Sequence, residues 1–209
     1  LAKPDTPYIA PVFNSAIGLI FILAIIQDSH NMAFRDDMTG LPSRRALNEL
    51  LRGLGSRYAI AMVDVDHFKA YNDHYGHPSG DECLQTVARL LPPLLKRPRD
   101  LAARYGGEEF ACLLPGCALE GALAKAHEIV HTVNTLRLPH ATSRVAPHVT
   151  LSVGVAACQP QHGEPALQLL QASDAALYQA KSAGRNRVVS AEASVQQQIT
   201  LLQQLPQMA

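Results

Sequence analysis

The chain has 209 residues, of which 47% are hydrophobic, and this is enough apolar material for the core of one ordinary domain with flanking segments. Its 18 basic and 18 acidic side chains cancel, and the absence of a basic run excludes the electrostatic footprint of a nucleic-acid-binding protein. The four cysteines show no Cys-x-x-Cys spacing, so we expect reduced, buried thiols rather than disulfides or zinc ligands.

The first predicted element is an apolar helix near the start of the chain. The stretch from Thr6 to Gln27 carries no charge and is close to the ~20 residues that a membrane-spanning helix needs, although Pro7 and Pro11 weaken its first half. Because the chain begins at Leu1 rather than Met, we expect the last transmembrane helix of a longer membrane protein. The alternative is a buried helix, or a helix that packs on another domain. Residues 28–36 are predicted to form a short polar connector.

The rest of the chain alternates between predicted helices and strands. Pro42 fits the first turn of a helix that runs to about Leu54, with Thr39 or Gly40 shaping its start. The elements predicted after it are a strand at 58–64, helices at 68–76 and 80–95, a hairpin at 101–114, a helix at 119–136, a strand at 149–157, a helix at 165–183 and a strand at 188–189. This order indicates an α/β sandwich with helices over a mixed sheet. The Gln-rich tail at 195–205 fits a short amphipathic helix or a frayed terminus.

Acidic residues follow the most apolar of the predicted strands. The run Ala59–Val63 is continuously apolar, as in a strand covered on both faces, and it ends in Asp64, Val65 and Asp66. Carboxylates at the end of a buried strand lie at the edge of the sheet, where they can bind Mg²⁺ together with substrate phosphates. A lone acid at such a position is more often a turn former or a helix cap.

The hairpin contains two glycines followed by two glutamates. Gly106 and Gly107 permit positive φ and leave no Cβ in the way of a ligand. Glu108 and Glu109 are neighbours in an extended segment, so their side chains are expected to point to opposite faces. On its own, the string also fits a solvated turn with two surface acids. Together with Asp64, it predicts a metal and phosphate site.

With these motifs in place, the chain resembles the GGDEF family of diguanylate cyclases over roughly residues 36–189. The matching strings are DMTGLPSRR at 37–45, DVDHFK at 64–69, NDHYGH at 72–77, GD at 80–81, RYGGEEF at 104–110, SVGVA at 152–156, ASDAALY at 172–178 and KSAGRN at 181–186. The resemblance implies a palm-like nucleotidyl cyclase fold at 36–190, preceded by the hydrophobic helix and connector at 1–35 and followed by the tail at 191–209. The departures are Met38 and Ser43 in place of the usual Leu and Asn, and a Glu at 108 that the family interchanges with Asp.

The resemblance also implies a reaction. The family joins two GTP molecules into cyclic di-GMP and releases two pyrophosphates, using Mg²⁺ or Mn²⁺ with two ions per active dimer site. By analogy, Asp64, the carbonyl of Val65 and Glu109 are metal ligands, and Glu108 is the metal-linked catalytic acid that helps to activate the 3′-hydroxyl. One site holds one GTP, so activity implies a homodimer.

The nucleotide contacts are carried over in the same way. Guanine recognition falls to Asn72 and Asp81, with His77 nearby and Gly106 and Gly107 beneath the nucleotide. By the same resemblance, the triphosphate is expected to contact Lys69, Lys181 and Arg185. Without the resemblance, Asp81 reads as a helix cap, His77 as a loop residue, and the last two cations as partners of a helix C-terminus.

A further motif precedes the hairpin. Arg97 and Asp100 have the Arg-x-x-Asp spacing of the family's product-inhibition site, with five residues between Asp100 and Gly106. Arginine can clamp a phosphate and stack on guanine, and the carboxylate can accept from the guanine edge. A charged turn before a strand is the alternative.

Three functions remain open from the sequence. They are an active diguanylate cyclase, a non-catalytic receptor for GTP or cyclic di-GMP, and a mononucleotide cyclase of similar fold. The intact Gly-Gly-acid-acid turn favours the first. The expected location is the cytoplasmic side of the inner membrane, with the N-terminal helix as the anchor.

Overall fold

The computed structural model of the protein describes residues 9–55, 57–158 and 166–191. The helices are α1 (Ile9–Phe34), α2 (Arg44–Arg52), α3 (Phe68–Tyr75), α4 (His77–Leu94), α5 (Leu119–Leu136) and α6 (Ala166–Ser182). The strands are β1 (Tyr58–Val65), β2 (Leu101–Arg104), β3 (Glu109–Pro115), β4 (Leu151–Ala157) and β5 (Val188–Ser190). The predicted Gln-rich tail lies outside the described residues.

The strands form one mixed sheet in the order β2-β3-β1-β4-β5. Only β4 and β5 pair in parallel, and the other neighbours are antiparallel. The central strand β1 is buried along its whole length, as its apolar run predicts. Helices cover both faces of the sheet, which confirms the predicted α/β fold class.

The two faces of the sheet carry separate cores, because side chains alternate along each strand. Ala61 and Val63 of β1 pack with residues of α4 and α5, whereas Ile60 and Met62 pack with residues of α2 and α6. The same alternation in β3 places Phe110 on the first face and Leu113 on the second. It also assigns Asp64, two residues beyond Met62, to the face covered by α6.

The predicted polar connector after the apolar segment is wrong. Helix α1 continues without a break to Phe34, so only Arg35 and Asp36 of the expected linker lie outside it. Polar residues such as Gln27 and Asp28 are compatible with a helix, and hydropathy alone does not mark where a helix ends. Within the described residues, Pro11–Phe34 is the single helix that is long and apolar enough to cross a membrane.

Helix α2 begins at Arg44, later than the predicted first turn at Pro42. Ser43 is its N-cap, and its hydroxyl accepts a hydrogen bond from the amide of Ala46. The same hydroxyl donates to the carbonyl of Ala33, and the amide of Ser43 donates to the carbonyl of Phe34. Pro42 therefore precedes the cap instead of opening the helix, and one serine joins the end of α1 to the start of α2.

Candidate active site

Asp64 lies at the end of the central strand and opposite Glu109 in the antiparallel register with β3. Only 4% of its surface is exposed. Its carboxylate pairs with the ammonium of Lys181 from α6, with 2.7 Å between Nζ and Oδ2. The structure thus brings together three of the residues that the sequence assigned to metal and phosphate binding.

The electrostatics of this cluster are dominated by burial. Burial raises the pKa of Asp64 to about 6, Lys181 opposes this, and the charges of Glu108 and Glu109 raise it further. Both glutamates therefore lie near enough for their charges to act on Asp64. Glu108 precedes β3, so strand alternation does not apply to it, and its carbonyl accepts a hydrogen bond from the amide of Val65.

The donor set suits a magnesium ion. Among the described residues, no group of three or more His, Cys, Asp or Glu side chains is gathered as a preformed metal cage. Mg²⁺ needs no such cage, because it usually binds one or two carboxylates, substrate phosphates and water. The carboxylates of Asp64, Glu108 and Glu109 and the carbonyl of Val65 are all oxygen donors, so the residues fit the ion that the resemblance implies.

The glycine at position 106 is explained by the space that a neighbouring side chain needs, and not by a positive φ. Neither glycine has a positive φ, so the first of the two reasons that we gave for them from the sequence is wrong. A Cβ at Gly106 would lie 2.8 Å from Oε2 of Glu109, whereas a Cβ at Gly107 would meet no atom within 4 Å. Gly106 therefore makes room for a glutamate of the site, and Gly107 leaves an open surface.

The partly buried side chain of Arg104 binds the backbone of this turn. Its guanidinium donates to the carbonyls of Gly106 and Gly107, at 3.2 and 2.8 Å, and also to both oxygens of Asp36, at 3.1 and 3.0 Å. Burial raises the pKa of Asp36, but hydrogen bonds from Thr39 and the charge of Arg104 leave it lowered overall. Sequence reasoning missed both residues as parts of the site, although Arg104 lies in a motif that we recognised and Asp36 directly precedes another.

The predicted guanine side lies on α3 and α4. Oδ1 of Asn72 is buried and has no hydrogen-bond partner among the described residues. A Cβ at Gly80 would lie 1.8 Å from this atom, so the glycine makes space for the amide. Asp81 and His77 are exposed on α4, which begins at His77 rather than at Gly80. Asp81 is inside the helix and is not its cap.

The predicted phosphate contacts lie on two helices. Lys69 is exposed in the first turn of α3, and Lys181 is in the last turn of α6. Arg185 follows α6 in the left-handed conformation, with φ 65°. The structure joins Lys181 directly to Asp64, and within the described part of the chain it shows no ion pair of Lys69.

Asp66 is a buried carboxylate that the sequence did not assign. Its two oxygens accept hydrogen bonds from the hydroxyls of Thr150 and Ser152, at 2.7 and 2.6 Å, and from the amide of Asn186, at 3.0 Å. These donors engage both oxygens of the carboxylate, so Asp66 has a structural role in the fold. It fixes the segment after α6 to the end of β1.

Arg97 and Asp100, which the sequence assigned to product inhibition, pair with each other in the structure. Nε of Arg97 donates to Oδ2 of Asp100 at 3.1 Å, and Nη2 lies 2.8 Å from Oδ1. This hydrogen bond raises the pKa of Arg97. The pair borders an open cleft of about 320 Å³ that Lys96, Cys117 and Lys125 also line. The Arg-x-x-Asp pair precedes β2 and the Gly-Gly turn follows it, so the two sites lie at opposite ends of one strand.

Comparison with known proteins identifies the family. The family model described as "Diguanylate cyclase, GGDEF domain" matches residues 33–187. The chain is 41% identical over 165 residues to the probable diguanylate cyclase DgcC of Escherichia coli, covering 75% of this chain and 43% of DgcC. It is 37% identical over 171 residues to the response regulator PleD of Caulobacter vibrioides, covering 78% of this chain and 37% of PleD.

A solved structure agrees with these matches. The coiled coil and GGDEF domain of DgcB from Caulobacter crescentus, crystallised with c-di-GMP, superposes with a TM-score of 0.76 at 30% identity, covering 87% of this chain and 97% of that one. The chain spans less than half the length of the two curated relatives. Sequence and fold together place it in the GGDEF domain family of diguanylate cyclases.

Proposed function

We propose that this chain is an active diguanylate cyclase, which condenses two GTP molecules into cyclic di-GMP and releases two pyrophosphates. The observation that carries the proposal is the acidic cluster beside an open Gly-Gly turn. Asp64 is influenced by both Glu108 and Glu109 and pairs with Lys181, and no atom of the described residues lies within 4 Å of a Cβ at Gly107. A nucleotide can therefore lie against the turn with its phosphates beside the carboxylates.

In this proposal, the residues divide into three groups by the part of GTP that they meet. Asp64, the carbonyl of Val65, Glu108 and Glu109 would hold Mg²⁺ or Mn²⁺, with Glu108 assigned to activation of the 3′-hydroxyl. The metal would neutralise phosphate charge and lower the pKa of that hydroxyl. Lys69, Lys181 and Arg185 bind the triphosphate and stabilise the charge of the departing pyrophosphate. Asn72, Asp81 and His77 face the guanine.

The reaction requires two copies of the chain. Each 3′-hydroxyl must reach the α-phosphate of the other nucleotide, and each site holds one GTP, so two Gly-Gly turns must face each other in a homodimer. Arg97 and Asp100 bind cyclic di-GMP at the other end of β2, and this binding inhibits the enzyme. Helix α1 anchors the protein in the membrane, with the cyclase domain on the cytoplasmic side.

The decisive test is product analysis. Purified protein is incubated with GTP and Mg²⁺, and the nucleotide products and pyrophosphate are quantified by mass spectrometry and a coupled assay. We expect two pyrophosphates per cyclic di-GMP, and a specific activity that rises with protein concentration. Glu108→Ala should lose activity by roughly 100-fold or more. The matched control is Glu120→Ala, an exposed glutamate in the first turn of α5, which should stay active.

Two outcomes would contradict the proposal. Binding of GTP or cyclic di-GMP without turnover would indicate a receptor. Formation of a cyclic mononucleotide would indicate a mononucleotide cyclase.

A further inference from the structure

The segment after α6 has an unusual backbone. Gly184, Arg185 and Asn186 all have positive φ, at 110°, 65° and 46°. Glycine adopts this conformation freely and asparagine tolerates it, but Arg185 is strained there and keeps it only when its surroundings hold it. On the α6 side, the amide N–H of Arg185 donates to the carbonyl of Ala180 at 2.9 Å, and on the other side the contacts of Asn186 help to fix where the side chain of Arg185 begins.

Two contacts from distant elements hold Asn186. Its amide N–H donates to Oδ2 of Asp66, at 3.0 Å, which fixes the backbone. Its side-chain Oδ1 accepts from Nδ2 of Asn134 on α5, at 2.8 Å. Among the described residues, the side chain of Asn134 hydrogen-bonds to Asn186 and His148, which we do not assign to GTP, so the chemistry described above gives it no role.

The amide of Asn134 is itself oriented by a buried histidine. Nη1 of Arg137 lies 3.3 Å from Nδ1 of His148, and arginine can only donate, so Nδ1 accepts. The proton of the neutral ring is then on Nε2, which donates to Oδ1 of Asn134 at 3.1 Å. This leaves Nδ2 of Asn134 directed at Asn186. Burial, and then the charge of Arg137, lower the pKa of His148 and keep the ring neutral.

We propose that Asn134 is a positioning residue for the triphosphate, which acts through Asn186 to hold Arg185 and is oriented by Arg137 and His148. The inference rests on the proposed function, because it takes Arg185 as a triphosphate contact. It predicts a loss that is confined to the phosphate end of the nucleotide. A residue with a purely structural role would weaken every ligand of the site equally.

The test is a double-mutant cycle read by ligand binding. Titration calorimetry measures the affinity for 3′-deoxy-GTP, which lacks the attacking hydroxyl, and for GMP, which lacks the outer phosphates. Asn134→Leu should weaken 3′-deoxy-GTP by roughly tenfold and GMP by less than about twofold. In an Arg185→Ala background, Asn134→Leu should have no further effect, because residues that act through one another are not additive. His131→Ala, exposed on the same helix, is the control.

Asn186→Gly gives a second route to the same contact. Glycine tolerates the left-handed backbone but removes the acceptor of Asn134, so it should reproduce the Asn134→Leu pattern at an unchanged thermal midpoint. Equal loss for GMP, or additive losses in the cycle, would overturn the inference. A wild-type protein that binds 3′-deoxy-GTP but makes no cyclic di-GMP would contradict the proposed function alone, and the cycle would still decide the role of Asn134. Failure to bind 3′-deoxy-GTP would overturn both.

Discussion

At Asp64, burial in the folded protein favours the neutral carboxyl, whereas the proposed metal binding needs the carboxylate. Burial raises the pKa of this carboxyl from 3.8 to about 6 in the folded protein. The folded state therefore binds more protons than the unfolded chain between about pH 4 and pH 6, and stability falls as the pH rises through this window. Above it, the full cost of a buried carboxylate is present, reduced only by Lys181.

Replacing Asp64 by Asn should separate these two effects. At pH 7, in metal-free buffer, Asp64→Asn should be more stable than the wild type, by at most about 3 kcal/mol, since the shift is about two pKa units. The gain should shrink as the pH falls from 6 to 4, while cyclase activity is lost at every pH. Urea unfolding of both proteins from pH 3.5 to 8 checks this, and a difference that is independent of pH would contradict it.

Lys181 also affects metal binding at Asp64, because its ammonium already neutralises the carboxylate that we assign as a metal ligand. A cation must compete with it for Asp64 when no nucleotide is present. Lys181→Met should therefore bind Mn²⁺ more tightly without nucleotide, by a factor of a few, while its affinity for GTP falls. Electron paramagnetic resonance of free Mn²⁺ measures the first effect, with the exposed Arg89→Met as the control. Unchanged Mn²⁺ affinity would count against competition.

Single residues also mark the limit of what the sequence predicts. Asp64, Glu109 and Lys181 were found because each lies in a recognisable string, and the structure brings them together. The partners of Arg104 and Asp66 were not foreseen, because Asp36 is 68 positions from Arg104 and Asn186 is 120 positions from Asp66. A local pattern carries no information about such pairs.

Among the elements, the Gly-Gly turn is held in place by contacts with other parts of the chain. Arg104 links the turn carbonyls to Asp36, just beyond α1, and Arg44 of α2 stacks on the ring of Tyr105 at 4.4 Å. A lysine at position 104 keeps the charge but cannot make these contacts as one planar fork.

We expect Arg104→Lys to reduce cyclase activity by roughly tenfold or more, because a small displacement of reacting groups is costly, while the unfolding midpoint changes little. Asp36→Asn should show part of the same loss, and the two losses should not add. Arg52→Lys, at an exposed ion pair of α2, is the control. Initial rates of the wild type, the two single variants, their double variant and the control check this, and full activity of Arg104→Lys would show that the fork does not position the turn.

Elements were predicted well where apolar periodicity is strong and less well at their ends. Helix α5 has the predicted bounds, since its apolar residues recur at helical spacing up to Leu136. Strand β4 begins at Leu151, two residues later than expected, and the preceding His148 and Thr150 are bound to Asn134 and Asp66. The end of α1 was misplaced because the polar residues after Gln27 continue the helix.

For the whole molecule, the proposed catalytic and product-binding residues at the two ends of β2 lead to a prediction about regulation. Cyclic di-GMP should inhibit the wild type and should fail to inhibit Arg97→Ala, because the guanidinium that clamps the phosphate is gone. Arg99→Ala, an exposed arginine in the same segment, should keep the inhibition. Rates at increasing cyclic di-GMP concentration measure this, and inhibition of Arg97→Ala at wild-type concentrations would remove the assignment.

The continuous helix α1 has a mechanical consequence. It runs to Phe34, and Ser43 ties its last turn to α2 by hydrogen bonds to Ala33 and Phe34. These hydrogen bonds connect the last turn of α1 directly to the first helix of the folded domain. Each residue of an α-helix turns the chain by about 100°. In a pair of copies, the rotational phase of the two α1 helices would thus set whether their Gly-Gly turns face each other or face away.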